Sequence, residues 1–280
     1  MFSKLLKYEW KANSGLLSIL SLAAVGAGIF GGVILRIIIY ISEINPEEDQ
    51  WGLSIAGLGI LLFFMVLALI AYVLAVQFVT ISRFYKNKFT DEGYLTFTLP
   101  VNVHQIFVSS LLNVLIWLVI SAVVLLTSIS LIVIIGAGEH LSNAMPEITI
   151  GLGFIQNEMA SYPGYGAYEA LTAVQMLAAP IYSVILIMSC ITTGSVLSKK
   201  HKVLTTVALY YGVTTALSIV TSILTAVPQI LLLTAVENYE QNFYLYTNIS
   251  LGINLGLQVL VAVGAYFLSA GLMKHKLNLS

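Results

Sequence analysis

The sequence contains little charge. Asp, Glu, Lys and Arg make up 9% of its 280 residues, whereas a soluble globular domain carries roughly 25% charged residues. Apolar types instead make up 59%, and they form long uncharged runs along the whole chain. This balance excludes an ordinary soluble domain and predicts an integral membrane protein.

Cysteine and the common catalytic motifs are also scarce. The single cysteine, Cys190, lies in an apolar run, so no intrachain disulfide can form. The sequence has no GxxxxGK[ST] phosphate loop, no HExxH and no GxSxG. Its histidines lie in separate loops or flanks, without metal-ligand spacing. We therefore predict no catalytic residue, no metal site and no directly bound cofactor.

Six apolar runs are long enough to cross a bilayer, which requires about 20 residues in a helix. We read them as helices because an open strand cannot satisfy its backbone groups in lipid. The predicted fold is an all-α polytopic membrane protein, with residues 1–280 in a single transmembrane domain. The spans are Gly15–Ile41, Trp51–Ile81, Ile106–Ile135, Leu171–Leu197, Val203–Ala226 and Ile249–Met273.

The Lys and Arg residues predict the orientation. They cluster before the first span, in the second and fourth loops and after the last span, while the first, third and fifth loops contain none. Because cytoplasmic segments are enriched in Lys and Arg, both termini are predicted to be cytoplasmic and the loop 138–168 extracellular. We expect the plasma membrane as the location.

Two short helices are predicted beside the spans. Residues 2–12 place apolar and basic side chains on opposite faces of a helix, which is typical of a helix lying in the membrane interface. The apolar stretch Val203–Val236 is too long for one ordinary span and contains Pro228, which tends to break a helix. We therefore predict a short re-entrant outer helix, Gln229–Ala235, before the last span.

Small residues indicate close helix packing. Ala24, Gly28 and Gly32 recur every four residues in the first span, and Gly252 and Gly256 do so in the sixth. Such spacing lets two helix backbones approach closely. The pattern fits packing within the chain as well as dimerisation.

One charge, Arg36, lies near the outer end of the first span. A charge within a membrane segment is a candidate functional residue. The simpler interpretation is that Arg36 extends to the outer interface and pairs with Glu43, two turns further on.

The second loop, residues 83–105, reads RFYKNKFTDEGYLTFTLPVNVHQ. Thr90 or Asp91 is suited to cap a short helix, and Tyr94 and Leu95 then begin an apolar surface that ends at Pro100. Two interpretations stay open at this point. The segment is either a docking element for a soluble partner or an anchor whose aromatic side chains lie in the headgroup layer.

The segments FTDEGYLTFTLPVNVHQ, KLLKYEWKA and KHKLNLS resemble ABC-2 type permease subunits of ABC transporters in Gram-positive (Firmicutes-like) bacteria. The resemblance implies a cytoplasmic coupling helix and an N-terminal elbow helix, both contacting cytoplasmic ATPase subunits. It implies coupling residues Phe89, Thr90, Asp91, Glu92, Gly93, Tyr94, Leu95 and Pro100, and elbow contacts Lys7, Glu9 and Trp10. It also implies a second permease subunit, identical or paralogous, with ATP and Mg bound by the partner ATPase. Membrane lipid is expected as a partner and nucleic acid is not.

Uncharged polar residues within the spans are candidates for a substrate pathway. They are Gln77, Asn113, Gln175, Asn254 and Gln258, of which the last two share a helix face. Hydrogen bonding between helices is the competing explanation. The scarcity of charge in the spans favours a hydrophobic or amphipathic substrate, because a strongly charged solute requires paired intramembrane charges.

We thus expect an ABC export permease subunit that moves a peptide antibiotic, lipid or drug. The alternatives are a secondary transporter or channel, which would require ionisable residues at mid-membrane, and a non-transporting scaffold or sensor subunit.

Overall fold

The computed structural model describes residues 2–44, 52–90, 93, 101–198, 200–235 and 243–275. Over these ranges the chain is helical and forms no strand. The helices are α1 Phe2–Ile44, α2 Gly52–Phe89, α3 Val103–Ala137, α4 Glu139–Ala160, α5 Tyr165–Leu197, α6 Lys202–Ala235 and α7 Phe243–His275.

Six of these helices, all except α4, are long and apolar enough to cross a membrane. The predicted all-α fold is confirmed over the described residues, and the six long apolar helices agree with the six predicted spans. The helices extend beyond the predicted spans. A helix of 33 residues, such as α5, is about 50 Å long, whereas the hydrocarbon core is about 30 Å thick.

The residues predicted as a separate interfacial helix, 2–12, form the first turns of α1 instead. Nothing in the sequence stops the helix before the first span. Gly15 costs only about 1 kcal/mol in a helix interior, and the Ser14 hydroxyl is satisfied by the Lys11 carbonyl at 3.1 Å. The boundary between the interfacial helix and the span is therefore absent.

The predicted break at Pro228 is also wrong, because α6 runs unbroken from Lys202 to Ala235. The segment Gln229–Ala235 is therefore the end of α6 and not a separate re-entrant helix. A proline removes one backbone donor, but neighbouring helices and local adjustments commonly compensate for it in membrane helices. Pro180 likewise lies inside the continuous helix α5.

The predicted loop 138–168 contains the helix α4, which was not predicted from the sequence. Gly138 has φ +52° and Gly164 has φ +86°, a left-handed conformation that glycine adopts at little cost. These two glycines separate α4 from the spans α3 and α5. The segment is therefore a helix between two turns.

The helices form two compact units, Met1–Arg83 with Leu112–Leu152, and Phe84–Leu111 with Gly153–Ser280. The core of the first unit is a cluster of Leu17, Ala24, Leu69, Tyr72, Val76, Trp117 and Ile132. Beside it, the Trp10 ring stacks on Trp117 with centroids 4.8 Å apart.

Close backbone contact also holds the first unit together. The Ser128 hydroxyl of α3 donates a hydrogen bond to the Ala24 carbonyl of α1 at 3.2 Å. A Cβ placed on Gly28 would lie 2.8 Å from the Cα of Ser128. The small residues of the first span therefore pack within the chain. In the sixth span, a Cβ added to Gly252 or Gly256 would have no described atom within 4 Å.

In the second unit α5, α6 and α7 pack on one another. Gly194 of α5 brings that helix against α6, because a Cβ there would lie 2.9 Å from the Cα of Thr206. A tyrosine cluster holds the turn before α5 against the start of α7. There, the Asn248 amide donates to the Gly164 carbonyl at 2.8 Å, and the Tyr165 and Tyr244 ring centroids are 5.2 Å apart.

Candidate functional site

A cavity of about 610 Å³ lies among α5, α6 and α7 in the second unit. Most of its lining side chains are polar, and none is Asp, Glu, Lys, Arg or His. Leu217, Leu251, Leu257 and Val261 supply its apolar surface. Cavities that bind small molecules typically combine apolar walls with a few placed polar groups. The cavity is therefore our candidate binding site.

The α6 wall carries a stripe of hydroxyl side chains, which we call the hydroxyl ladder: Thr214, Ser218, Thr221 and Thr225. Steps of four, three and four residues bring these side chains to one face of a helix. Each hydroxyl donates its proton to a carbonyl three or four residues earlier, at 2.7 to 2.9 Å. The hydroxyl oxygens therefore face the cavity as hydrogen-bond acceptors.

The α7 wall is formed by Thr247, Ser250, Asn254 and Gln258. The Gln258 amide donates to the Asn254 side-chain oxygen at 2.8 Å, so these side chains bond within one helix. The Gln258 oxygen and the Ser250 hydroxyl are buried without a hydrogen-bond partner. An unpaired buried polar group costs free energy, and both atoms are shielded from solvent rather than open to the cavity.

The predicted pathway residues therefore have different locations. Asn254 and Gln258 line the cavity. Gln175 lies on α5 outside the lining, and its side-chain oxygen is buried without a hydrogen-bond partner. Gln77 and Asn113 belong to the first unit.

Sequence reasoning missed the hydroxyl ladder. Single Ser and Thr residues satisfy themselves within membrane helices, so none of the four attracts notice alone. The signal available in the sequence was their recurrence on one face of α6.

At the end of α2, a hydrogen bond connects the second and fourth loops, which are both predicted to be cytoplasmic. The Lys202 ammonium donates to the Phe89 carbonyl at 3.1 Å. Phe89 is only 2% exposed, and its ring packs edge-on against Phe84, with centroids 5.7 Å apart. We call this contact the Lys202–Phe89 junction. It joins the end of α2 to the first residue of α6.

Of the eight predicted coupling residues, Phe89, Thr90 and Gly93 are described. The Gly93 backbone N–H donates to the Thr90 carbonyl at 2.8 Å. The Thr90 hydroxyl donates backwards to the Lys86 carbonyl in the last turn of α2. Lying outside the described residues are Asp91, Glu92, Tyr94, Leu95 and Pro100.

The predicted elbow contacts lie in the first turns of α1. Lys7 is exposed, and Glu9 and Trp10 are half-buried. The Trp10 ring already stacks on Trp117 of α3, so this face of Trp10 is occupied within the chain.

The expected ion pair between Arg36 and Glu43 is not formed. Arg36 is exposed, and its guanidinium lies 3.5 Å from the Ile135 carbonyl. The Glu43 carboxylate pairs instead with the His140 ring, at 3.0 Å. Seven residues separate Arg36 from Glu43 by about 10 Å along a helix, whereas α4 places His140 directly beside Glu43. Arg36, Glu43 and His140 all line a small cavity of about 210 Å³.

Within the described ranges, no group of three or more His, Cys, Asp or Glu residues is placed to hold a metal ion.

No protein-family model, curated protein or solved structure matches the chain.

Proposed function

We propose that this chain is the permease subunit of an ATP-binding cassette exporter that moves a hydrophobic or amphipathic substrate. A separate cytoplasmic ATPase would bind and hydrolyse Mg-ATP, and a second permease subunit, identical or paralogous, would complete the pathway. The chain would lie in the plasma membrane with both termini in the cytoplasm. The Lys202–Phe89 junction is the observation that carries this proposal.

The junction gives the α2–α3 loop a direct connection to a wall of the cavity. Lys202 is the first residue of α6, where a positive charge is unfavourable for its own helix dipole. Its ammonium instead reaches a carbonyl at the end of α2, where a positive charge is favourable. A charge-assisted hydrogen bond of this kind is stronger than a neutral one. It supports the resemblance of the same loop to a coupling segment.

The helix α6 connects the junction to the cavity. Thr214, the first rung of the hydroxyl ladder, follows Lys202 by 12 residues, which is about 18 Å in a helix. A movement of the loop that shifted Lys202 would therefore shift the cavity wall. An exporter driven by a soluble ATPase requires such a connection.

The cavity lining favours an external energy source over ion coupling. Proton- and cation-coupled transporters use ionisable side chains within the membrane. The lining of this cavity contains no acid, no base and no histidine. A mixed surface of hydroxyl, amide and leucine side chains suits an amphipathic substrate.

The test begins with affinity purification of the chain from its native membrane and identification of the proteins that accompany it. Ser222 lines the cavity and is exposed, so a Ser222→Cys variant reports on cavity access. We expect its thiol-labelling rate to change at least threefold between ATP with vanadate and ADP. If no ATPase accompanies the chain, the proposal is wrong.

Two matched variants then test the junction. Lys202→Met removes the ammonium but keeps most of the side-chain length, so the nucleotide effect at Ser222→Cys should be reduced or lost. Lys200→Met makes the same change at an exposed neighbour and should keep it. Equal nucleotide effects in both variants would contradict a coupling role for the junction.

A further inference from the structure

We propose that the hydroxyl ladder binds the N–H donors of an elongated amphipathic ligand, and that the cavity selects for such donors over charge. As a description of the transported substrate, this rests on the proposed function. As a description of binding, it depends only on the hydrogen bonds within the cavity.

The direction of those hydrogen bonds determines what the ladder offers to a ligand. A hydroxyl group has one proton and two acceptor lone pairs. All four ladder hydroxyls donate their proton to the backbone of α6. Donation of the same proton to a ligand would break these bonds. The ladder therefore offers acceptors, and a ligand group that contacts it must be a donor.

The facing wall on α7 carries a further hydroxyl of the same kind. Thr247 lines the cavity, and its hydroxyl donates to the Phe243 carbonyl at 2.9 Å. An acceptor therefore faces the cavity from α7 as well.

The acceptor surface is long and narrow. Thr225 follows Thr214 by 11 residues, so the ladder extends about 17 Å along the helix. Leu217 on α6 and Leu251 and Leu257 on α7 also line the cavity. The complementary ligand is elongated and amphipathic, with N–H groups along its polar edge and alkyl groups beside them.

No charge in the lining compensates a cationic or anionic ligand. Selection must therefore come from hydrogen bonding, which separates this site from a site that recognises cations through carboxylates. Two probes of equal charge and chain length separate these mechanisms. Dodecylammonium carries three N–H donors, whereas dodecyltrimethylammonium carries none.

The experiment is equilibrium dialysis of the two radiolabelled probes against the full chain in nanodiscs of zwitterionic lipid, with empty nanodiscs subtracted. The ammonium group is the more strongly hydrated and is harder to desolvate, so an apolar cavity would prefer the trimethylated probe. We expect the chain to bind dodecylammonium about tenfold more tightly than dodecyltrimethylammonium.

Variants locate the selectivity. Thr221→Val and Thr225→Val, combined, keep the side-chain shape and remove two of the four ladder acceptors, so the preference for dodecylammonium should decrease. Thr221→Ser combined with Thr225→Val keeps a hydroxyl at position 221 and should bind dodecylammonium with a preference between those of the unaltered chain and the double valine variant. Thr215→Val changes an exposed residue of α6 outside the cavity lining and should bind like the unaltered chain.

Equal binding of the two probes to the unaltered chain, or a preference that the double variant leaves unchanged, would overturn the inference and leave the proposed function in place. Donor selectivity in a chain with no ATPase partner would have the opposite meaning. It would support the site while contradicting the exporter.

Discussion

Replacing Gly28 with alanine tests the contact between α1 and α3. A Cβ at this position would lie 2.8 Å from both the Cα and the carbonyl oxygen of Ser128, whereas non-bonded carbon atoms prefer separations of about 3.5–4.0 Å. Both clashing atoms are backbone, so a rotamer change cannot relieve the overlap. The helices must separate by up to about 1 Å.

The expected cost has two parts. Overpacking a close contact typically destabilises by about 1–3 kcal/mol. Separation also weakens the hydrogen bond from Ser128 to the Ala24 carbonyl, at 3.2 Å, and such interhelical bonds average about 0.6 kcal/mol in membranes. The sum for Gly28→Ala is a loss of roughly 1.5–3.5 kcal/mol in the free energy of unfolding.

Gly26→Ala is the matched control. It adds the same methyl group to the same helix, at a position with no described atom within 4 Å of the new Cβ. Its effect should be a gain of up to about 1 kcal/mol from helix propensity. The comparison therefore isolates the α1–α3 contact.

The assay is reversible unfolding in mixed micelles with increasing SDS, followed by tryptophan fluorescence. The stacked pair Trp10 and Trp117, 4.8 Å apart, joins the same two helices and reports on their separation. Unfolding free energies of the Gly28 and Gly26 variants within about 0.5 kcal/mol of each other would refute the reasoning.

Three further predictions concern topology and function. In a Cys190→Ser background, an impermeant thiol reagent on intact cells should label Met145→Cys and not Lys200→Cys; the reverse pattern would contradict the predicted orientation. Arg36→Lys should keep most of the transport activity, since lysine also reaches the interface and the Ile135 carbonyl, and a near-total loss at normal expression would indicate a substrate contact. Tyr94→Ala should weaken ATPase binding or reduce transport per ATP, measured on the purified complex, because truncating a buried interface aromatic often costs about 2 kcal/mol or more; unchanged binding and turnover would leave the loop as a membrane anchor.

The spans were predictable because the membrane imposes one simple rule. Backbone groups must be satisfied within each segment, so an apolar run of sufficient length becomes a helix. The same rule does not predict α4, which is not a continuous apolar run. Its apolar residues, including Leu141, Ile148 and Ile155, recur at helical spacing, but Pro146 and two glycines interrupt the pattern, as they would in a loop. Helical periodicity was the signal, and it was outweighed by residues that usually break helices.

The errors at the helix ends have a different origin. A break at Pro228 follows from local chemistry alone, but tertiary packing decides whether a helix bends or stops. The same limit applies to Glu43, whose partner His140 could not be identified without knowing that α4 begins there. Local rules predict which groups need partners, whereas only the fold decides which partner is near.

The candidate site was predicted in part for a related reason. Asn254 and Gln258 were identified because they are uncharged polar residues within a predicted span, and both line the cavity. The hydroxyl ladder was overlooked because its residues are individually common in membrane helices. Its significance depends on α6 facing α7 across a cavity, which no single segment reveals.

Two contacts at the start of α6 restrict how the cavity can change shape. The Lys202 ammonium is hydrogen-bonded to the Phe89 carbonyl. Gly194 lies so close to Thr206 that a Cβ on Gly194 would be 2.9 Å from the backbone N and Cα of Thr206. A helix held at one end moves by tilting about that end. Thr214 lies about 12 Å beyond Thr206 and Thr225 about 28 Å beyond it. A tilt of about 10° therefore moves the first rung of the ladder by about 2 Å and the last by about 5 Å. Under the proposed function, a small displacement of the α2–α3 loop would open the far end of the ladder most. The ligand would then lose its hydrogen bonds in order from Thr225 towards Thr214.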